Sequence, residues 1–168
     1  MRGSVLRRTV ITAGLLLTGA GVAIAGPPWI SIEYPVNPHD PVARGAFLTV
    51  RTYHHGDLIG YELSGTAEGL VDGRRQTARL DIRRMTQPGT YAVRWQKPAD
   101  GTWALVISSA REGRHMATAV VTVDNAGRVA SVSVPSNSAE GGRWQVPRAL
   151  AAGEIDALLR RSASLAAR

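Results

Sequence analysis

Between Trp29 and Pro135 apolar and polar residues alternate in short runs. That spacing predicts strands with one buried face. ISIEY (30–34) sets Ile30, Ile32 and Tyr34 on one side, and AFLTVRTY (46–53) sets Leu48 and Val50 against Phe47, Thr49 and Arg51. LIGYELSG (58–65) alternates Ile59, Tyr61 and Leu63 with Gly60, Glu62 and Ser64. TARLDIRR (77–84) is the cleanest run, with Ala78, Leu80 and Ile82 inward and Arg79, Asp81 and Arg83 outward. TYAVRWQ (90–96) and WALVISS (103–109) follow, and HMATAVVTV (115–123) and RVASVSV (128–134) flank the hairpin signal DNAG. Asp72-Gly73, Pro88-Gly89 and Asp100-Gly101 fall between runs, where turns demand such residues. About eight strands at this spacing, with no helical period among them, predict an all-β antiparallel sandwich.

The pattern changes after Pro135. PSNSAEGGRWQVP (135–147) has the composition of a linker, placed at 136–147, and closes the strand-bearing domain 26–135. Residues 148–168 are rich in Ala and Leu, and Ile155, Leu158, Leu159, Ser162 and Leu165 recur at helical spacing, predicting an amphipathic C-terminal α-helix. Glu154 and Asp156 stand early in it and Arg160 and Arg161 late, as the helix dipole favours. Its apolar face has two uses: packing onto its own sandwich, or docking to a partner through Ile155, Leu158 and Leu159.

Residues 1–25 stand apart from this alternation. Arg2, Arg7 and Arg8 precede the run VITAGLLLTGAGVAIA, which ends on Ala23-Ile24-Ala25. This is the grammar of a secretory signal peptide cut after Ala25, which places the mature chain outside the cytoplasm, periplasmic or secreted. The run is shorter than the ~20 residues of a spanning helix, so no transmembrane segment is expected after cleavage; an uncleaved anchor is the alternative. The chain has no cysteine, which excludes a disulfide framework and a lipid-anchored cysteine. Losing the leader removes three arginines and no acid, lowering the net charge from +7 to +4. That mild excess, in an exported chain, argues against nucleic acid as a partner.

The segment from Gly65 to Ser109 carries a recognisable cadence, in which GTYAVRW is followed by PADGTW and a further strand. It resembles bacterial extracytoplasmic Ig-like sandwiches, the YtkA-like and carboxypeptidase-regulatory-like domains. The resemblance implies an Ig-like β-sandwich in which Gly89, Tyr91, Trp95, Gly101 and Trp103 close a hairpin over the core. It also implies a sensor, carrier or accessory role, and copper-resistance-type relatives of similar shape bind copper.

The candidate chemistry is sparse. His54 and His55 precede Gly56-Asp57; in an extended strand they point to opposite faces, but within a turn they converge. Together with His39, His115 and Met116 they form a candidate copper set, since imidazole and thioether suit that metal. No His-x-His or Met-x-x-Met spacing reinforces it. There is no Gly-x-Ser-x-Gly elbow, no thiol nucleophile and no phosphate-loop glycine pattern, so no catalytic residue or cofactor is assigned and a noncatalytic protein is expected. Arg79, Arg83 and Arg94 are candidates for a partner-binding sheet face, with Arg51 nearby. Trp29 and Trp144 lie outside the core alternation, and Trp144 is placed to pin the tail to the sheet. The expected function is an exported binding or accessory module. It contacts a protein partner at the cell envelope through the sheet face or the helix. The alternative is a periplasmic copper carrier centred on His54 and His55.

Overall fold

The computed structural model describes residues 26–98, 100–139, 141–142 and 144–166; the leader read at 1–25 lies outside them. Two antiparallel sheets face each other. The first contains β1 (Trp29–Glu33), β2 (Leu48–His54), β7 (Thr90–Arg94) and β6 (Asp81–Arg84) in that spatial order, with the short β3 (Asp57–Leu58) on the end of β2. The second runs β10 (Val129–Ser133), β9 (Arg114–Val123), β8 (Thr102–Arg111), β4 (Glu62–Val71) and β5 (Arg74–Arg79).

Register aligns the apolar positions across strands. Ile32 lies opposite Val50, Val50 opposite Tyr91, and Leu48 and Ile82 both opposite Val93. In the second sheet Leu105 lies between Ala67 and Val121, and Ile107 between Gly65 and Ala119. These inward residues form one core, with Ile30, Leu48, Val50, Trp103, Leu105 and Ile107 fully buried. An all-β sandwich with a C-terminal helix is therefore what the alternation builds.

Trp103 is the largest buried side chain, and Gly69 across the ladder makes room for it. A Cβ at Gly69 would stand 2.7 Å from the indole. Trp95 lies beside Trp103 with ring centroids 6.2 Å apart, and Phe47 packs edge-on to Trp95 at 5.2 Å. Gly89 holds a φ of 72° and packs against the Ile59 backbone, where a Cβ would come within 2.9 Å.

Three expectations change. TARLDIRR is two strands: β5 ends at Arg79 on the second sheet, and β6 begins at Asp81 on the first. Leu80 is the single residue between them, its N–H bonded to the Gly65 carbonyl and its side chain packed on the core. The strand read at 58–65 starts at Glu62 and continues to Val71, because Gly65 and Gly69 sit in its interior, beneath Leu80 and Trp103. The linker at 136–147 contains a small hairpin, β11 (Ser136–Ser138) with β12 (Gln145–Pro147), cross-tied by Ser136–Gln145 and Gln145–Ser138 side-chain hydrogen bonds.

The helix, α1 (Ala152–Ala166), begins later than the composition placed it. Glu154 sets the start: it accepts the Ala151 N–H at 2.9 Å and pairs with both terminal nitrogens of Arg148, at 2.8 and 2.6 Å. This is the carboxylate half of a capping box. The hydrogen bonds from Arg148 and Ala151 bring the Glu154 carboxyl from 4.5 to about 2.

Candidate functional site

The arginines expected on one face are divided by the crossing at Leu80. Arg83 and Arg94 share the outer face of the first sheet with Asp81, which lies opposite Arg94 and bonds Arg83 at 3.0 Å. Arg51 is on that same face. Arg79 lies opposite Thr66 on the second sheet. What the fold assembles instead is an edge. β5 and β6 are the outermost strands of their sheets on the same side of the sandwich, and they carry Arg74, Arg75, Arg79, Arg83 and Arg84. Arg75 is neutralised by Glu68 at 2.8 Å and Asp156 at 2.6 Å. Arg74, Arg79 and Arg84 are exposed, and no carboxylate of the described residues lies within 4.0 Å of them. Arg74 and Arg84 were missed because the sequence reading ended one strand and continued another through this segment. The doublets Arg74-Arg75 and Arg83-Arg84 were the available signal.

His54 and His55 do come together. His54 ends β2 and lies opposite Asp57, leaving His55 and Gly56 as the two-residue loop. Both loop residues have positive φ, 56° and 91°, as a tight hairpin requires. That left-handed backbone turns the His55 ring onto His54, with centroids 3.9 Å apart, while His54 leans toward Tyr61 at 6.5 Å. His39 sits in the loop after β1, its N–H bonded to Asn37. His115 is on β9, and Met116 is the extra residue of a bulge there. Among the described residues no three histidine or carboxylate groups gather in metal-binding range. Of the five residues read as a copper set, the structure brings His54 and His55 into ring contact and places His39, His115 and Met116 on other elements.

A polar chain that the sequence did not nominate runs across the second sheet. The His115 Nε2 lies 2.9 Å from the Thr118 hydroxyl, which lies 2.9 Å from that of Ser108. Burial lowers the His115 pKa, so its neutral form is favoured. Thr118 is 1% exposed beneath this chain, so the exposed His115 ring and Ser108 supply the hydrogen-bond partners of a buried hydroxyl.

The helix face offered as a partner surface is occupied by the chain itself. Leu159 is 1% exposed and packs with Ala104 and Val120 on the outer side of the second sheet, and Ile155 and Leu158 border that contact. The three residues expected to meet a partner therefore bind the tail to its own sandwich. The small side chain of Ala104 admits the helix closely. Among the described residues no helix is long and apolar enough to cross a membrane.

No protein-family model, no curated protein and no solved structure matches this chain.

Proposed function

We propose that this chain is an exported, noncatalytic binding module. It meets an acidic protein surface at the cell envelope along the edge where β5 passes into β6. The carrying observation is the row of exposed arginines without carboxylate partners, Arg74, Arg79 and Arg84, on two adjacent edge strands. Edge strands present unpaired backbone groups as well as charge, and arginine recognises carboxylates in a fixed fork. Charge on an edge also keeps sheets from pairing with one another, so the test must separate the two roles. The sequence of residues 1–25 supports export, and the Trp95–Trp103 contact near Gly101 supports kinship with the Ig-like group.

The triple variant R74E/R79E/R84E is expected to bind a fluorescent polyglutamate probe on the order of tenfold more weakly at low salt while remaining monomeric. Wild-type binding should weaken as salt rises, since exposed charges are screened. Aggregation of the variant with unchanged probe affinity would show that the arginines serve only to protect the edge.

A second reading, a copper carrier, rests on the 3.9 Å stacking of His54 and His55. On this reading, copper titration of the full chain gives one-to-one binding that H54A/H55A abolishes. Retention of copper by the double variant would remove the hairpin from consideration.

A further inference from the structure

We infer that the acidic partner is bound as an added β-strand. An extended segment lies beside the first residues of β4, with an apolar side chain over Leu80 and Ile82 and a carboxylate on Arg79. This deepens the reading of the arginine edge and rests on it. The space is left by register. β4 is paired with β8 from Glu62 to Leu70, but with β5 only from Thr66 to Val71. The chain leaves the second sheet at Leu80, so residues 62–65 form a free edge, about 13 Å long, on a strand that is otherwise covered on both sides.

The backbone there is open to pairing. Successive residues of a strand direct their N–H and C=O groups to alternate sides. The Gly65 carbonyl accepts the Leu80 N–H at 3.1 Å, on the side that β5 has left. Leu63, two residues earlier, directs its own N–H and C=O the same way, where no strand or turn of the described residues bonds them. Edges are ordinarily closed by charge, proline or a bulge. Leu63, Ser64 and Gly65 bring none of these, and their ladder with β8 is regular.

A groove of about 480 Å³ runs along this edge. Its two sides differ, as the two faces of a strand do. Leu63, Leu80 and Ile82 line the core side, each half-buried and packed on the core. Ser64 and Ser108 line the outer side together with Arg79, which lies opposite Thr66 on that face. An added strand therefore turns one residue toward the apolar side and its neighbour outward. Arg79 is exposed and has no carboxylate of the described residues within 4.0 Å, so the outward residue it meets is acidic. Glu62, exposed at the other end of the edge, repels an acid there and so sets which end of the segment carries the charge.

The test compares two fluorescent heptapeptides on the full chain, SEVTVTS, which alternates as the groove requires, and heptaglutamate. SEVTVTS should bind more tightly than heptaglutamate at physiological salt, where exposed charge is screened. Its binding should slow hydrogen exchange of the Leu63 amide by about tenfold at roughly nine-tenths occupancy, since exchange then proceeds through the free fraction. The Ser64 amide, which faces β8, should be unchanged. R79Q should bind SEVTVTS about tenfold more weakly, the effect of one charge-assisted hydrogen bond, and should bind the acid-free STVTVTS as the wild type does. Heptaglutamate binding that R74E/R79E/R84E weakens, with no protection of Leu63 by SEVTVTS, would overturn the added strand and leave the arginine edge standing. Binding of neither peptide would overturn both. A Leu63 amide already protected in a dimer without peptide would assign the groove to a second copy and overturn the proposal as well.

Discussion

Truncating Trp103 to alanine is expected to destabilise the sandwich by about 3–5 kcal/mol, read as a lower urea midpoint at unchanged slope. The indole is 1% exposed and stands at the centre of the core, between Trp95 and the glycine-lined stretch of β4. A domain of this size has about 5–15 kcal/mol in total, so the variant approaches the limit of folding. The same site makes the opposite test available. Gly69→Ala places a methyl 2.7 Å from the ring and should cost about 1–3 kcal/mol by overpacking. Because the two changes act on one contact, they should not add. Trp103→Phe combined with Gly69→Ala is expected to lose less than the sum of the singles. Simple additivity would show that the ring and the glycine do not share the space.

Leu159→Ala is expected to cost about 2–5 kcal/mol, although the residue lies on a tail outside the sandwich proper. Its side chain is enclosed by Ala104 and Val120, with Leu70, Leu150, Ile155 and Leu158 around them. Ending the chain after Pro147 should have a comparable or larger effect, because it bares this outer surface of the second sheet. Both variants are to be compared by urea unfolding and by polyglutamate binding. Lower stability with probe affinity retained is the expected pair of results. Unchanged stability with lost affinity would make the helix the docking element.

The alternation of residues identified most of the core, since a half-buried strand has a period of two whatever sheet it joins. Ile30, Leu48, Val50, Tyr91, Val93, Trp103, Leu105 and Ile107 all point inward as their spacing requires. The same rule concealed the crossing at Leu80. The period runs unbroken through TARLDIRR because Leu80 faces the core while the chain changes sheets. The continuation of β4 past Gly65 to Val71 was not read, since Gly65 and Gly69 carry no side chain to show the alternation; a neighbouring side chain needs their space. The hairpin at 136–147 was hidden by its serines, which bond across it rather than pack.

The candidate sites were legible to different degrees. Two adjacent histidines before a glycine already indicate a turn in which rings can meet. The arginine edge needed the sheet order, which places β5 beside β6 at the rim.

The crossing at Leu80 also bears on how the two sheets are held together. On that side the two sheets are joined by a single residue of backbone, like the spine of a book. On the opposite side β1 and β10 are the outermost strands, and no such one-residue link joins them. That far side is closed instead by packing of β1 against β9, so the two margins of the sandwich are held by different means, continuous backbone on one and contact between separate strands on the other.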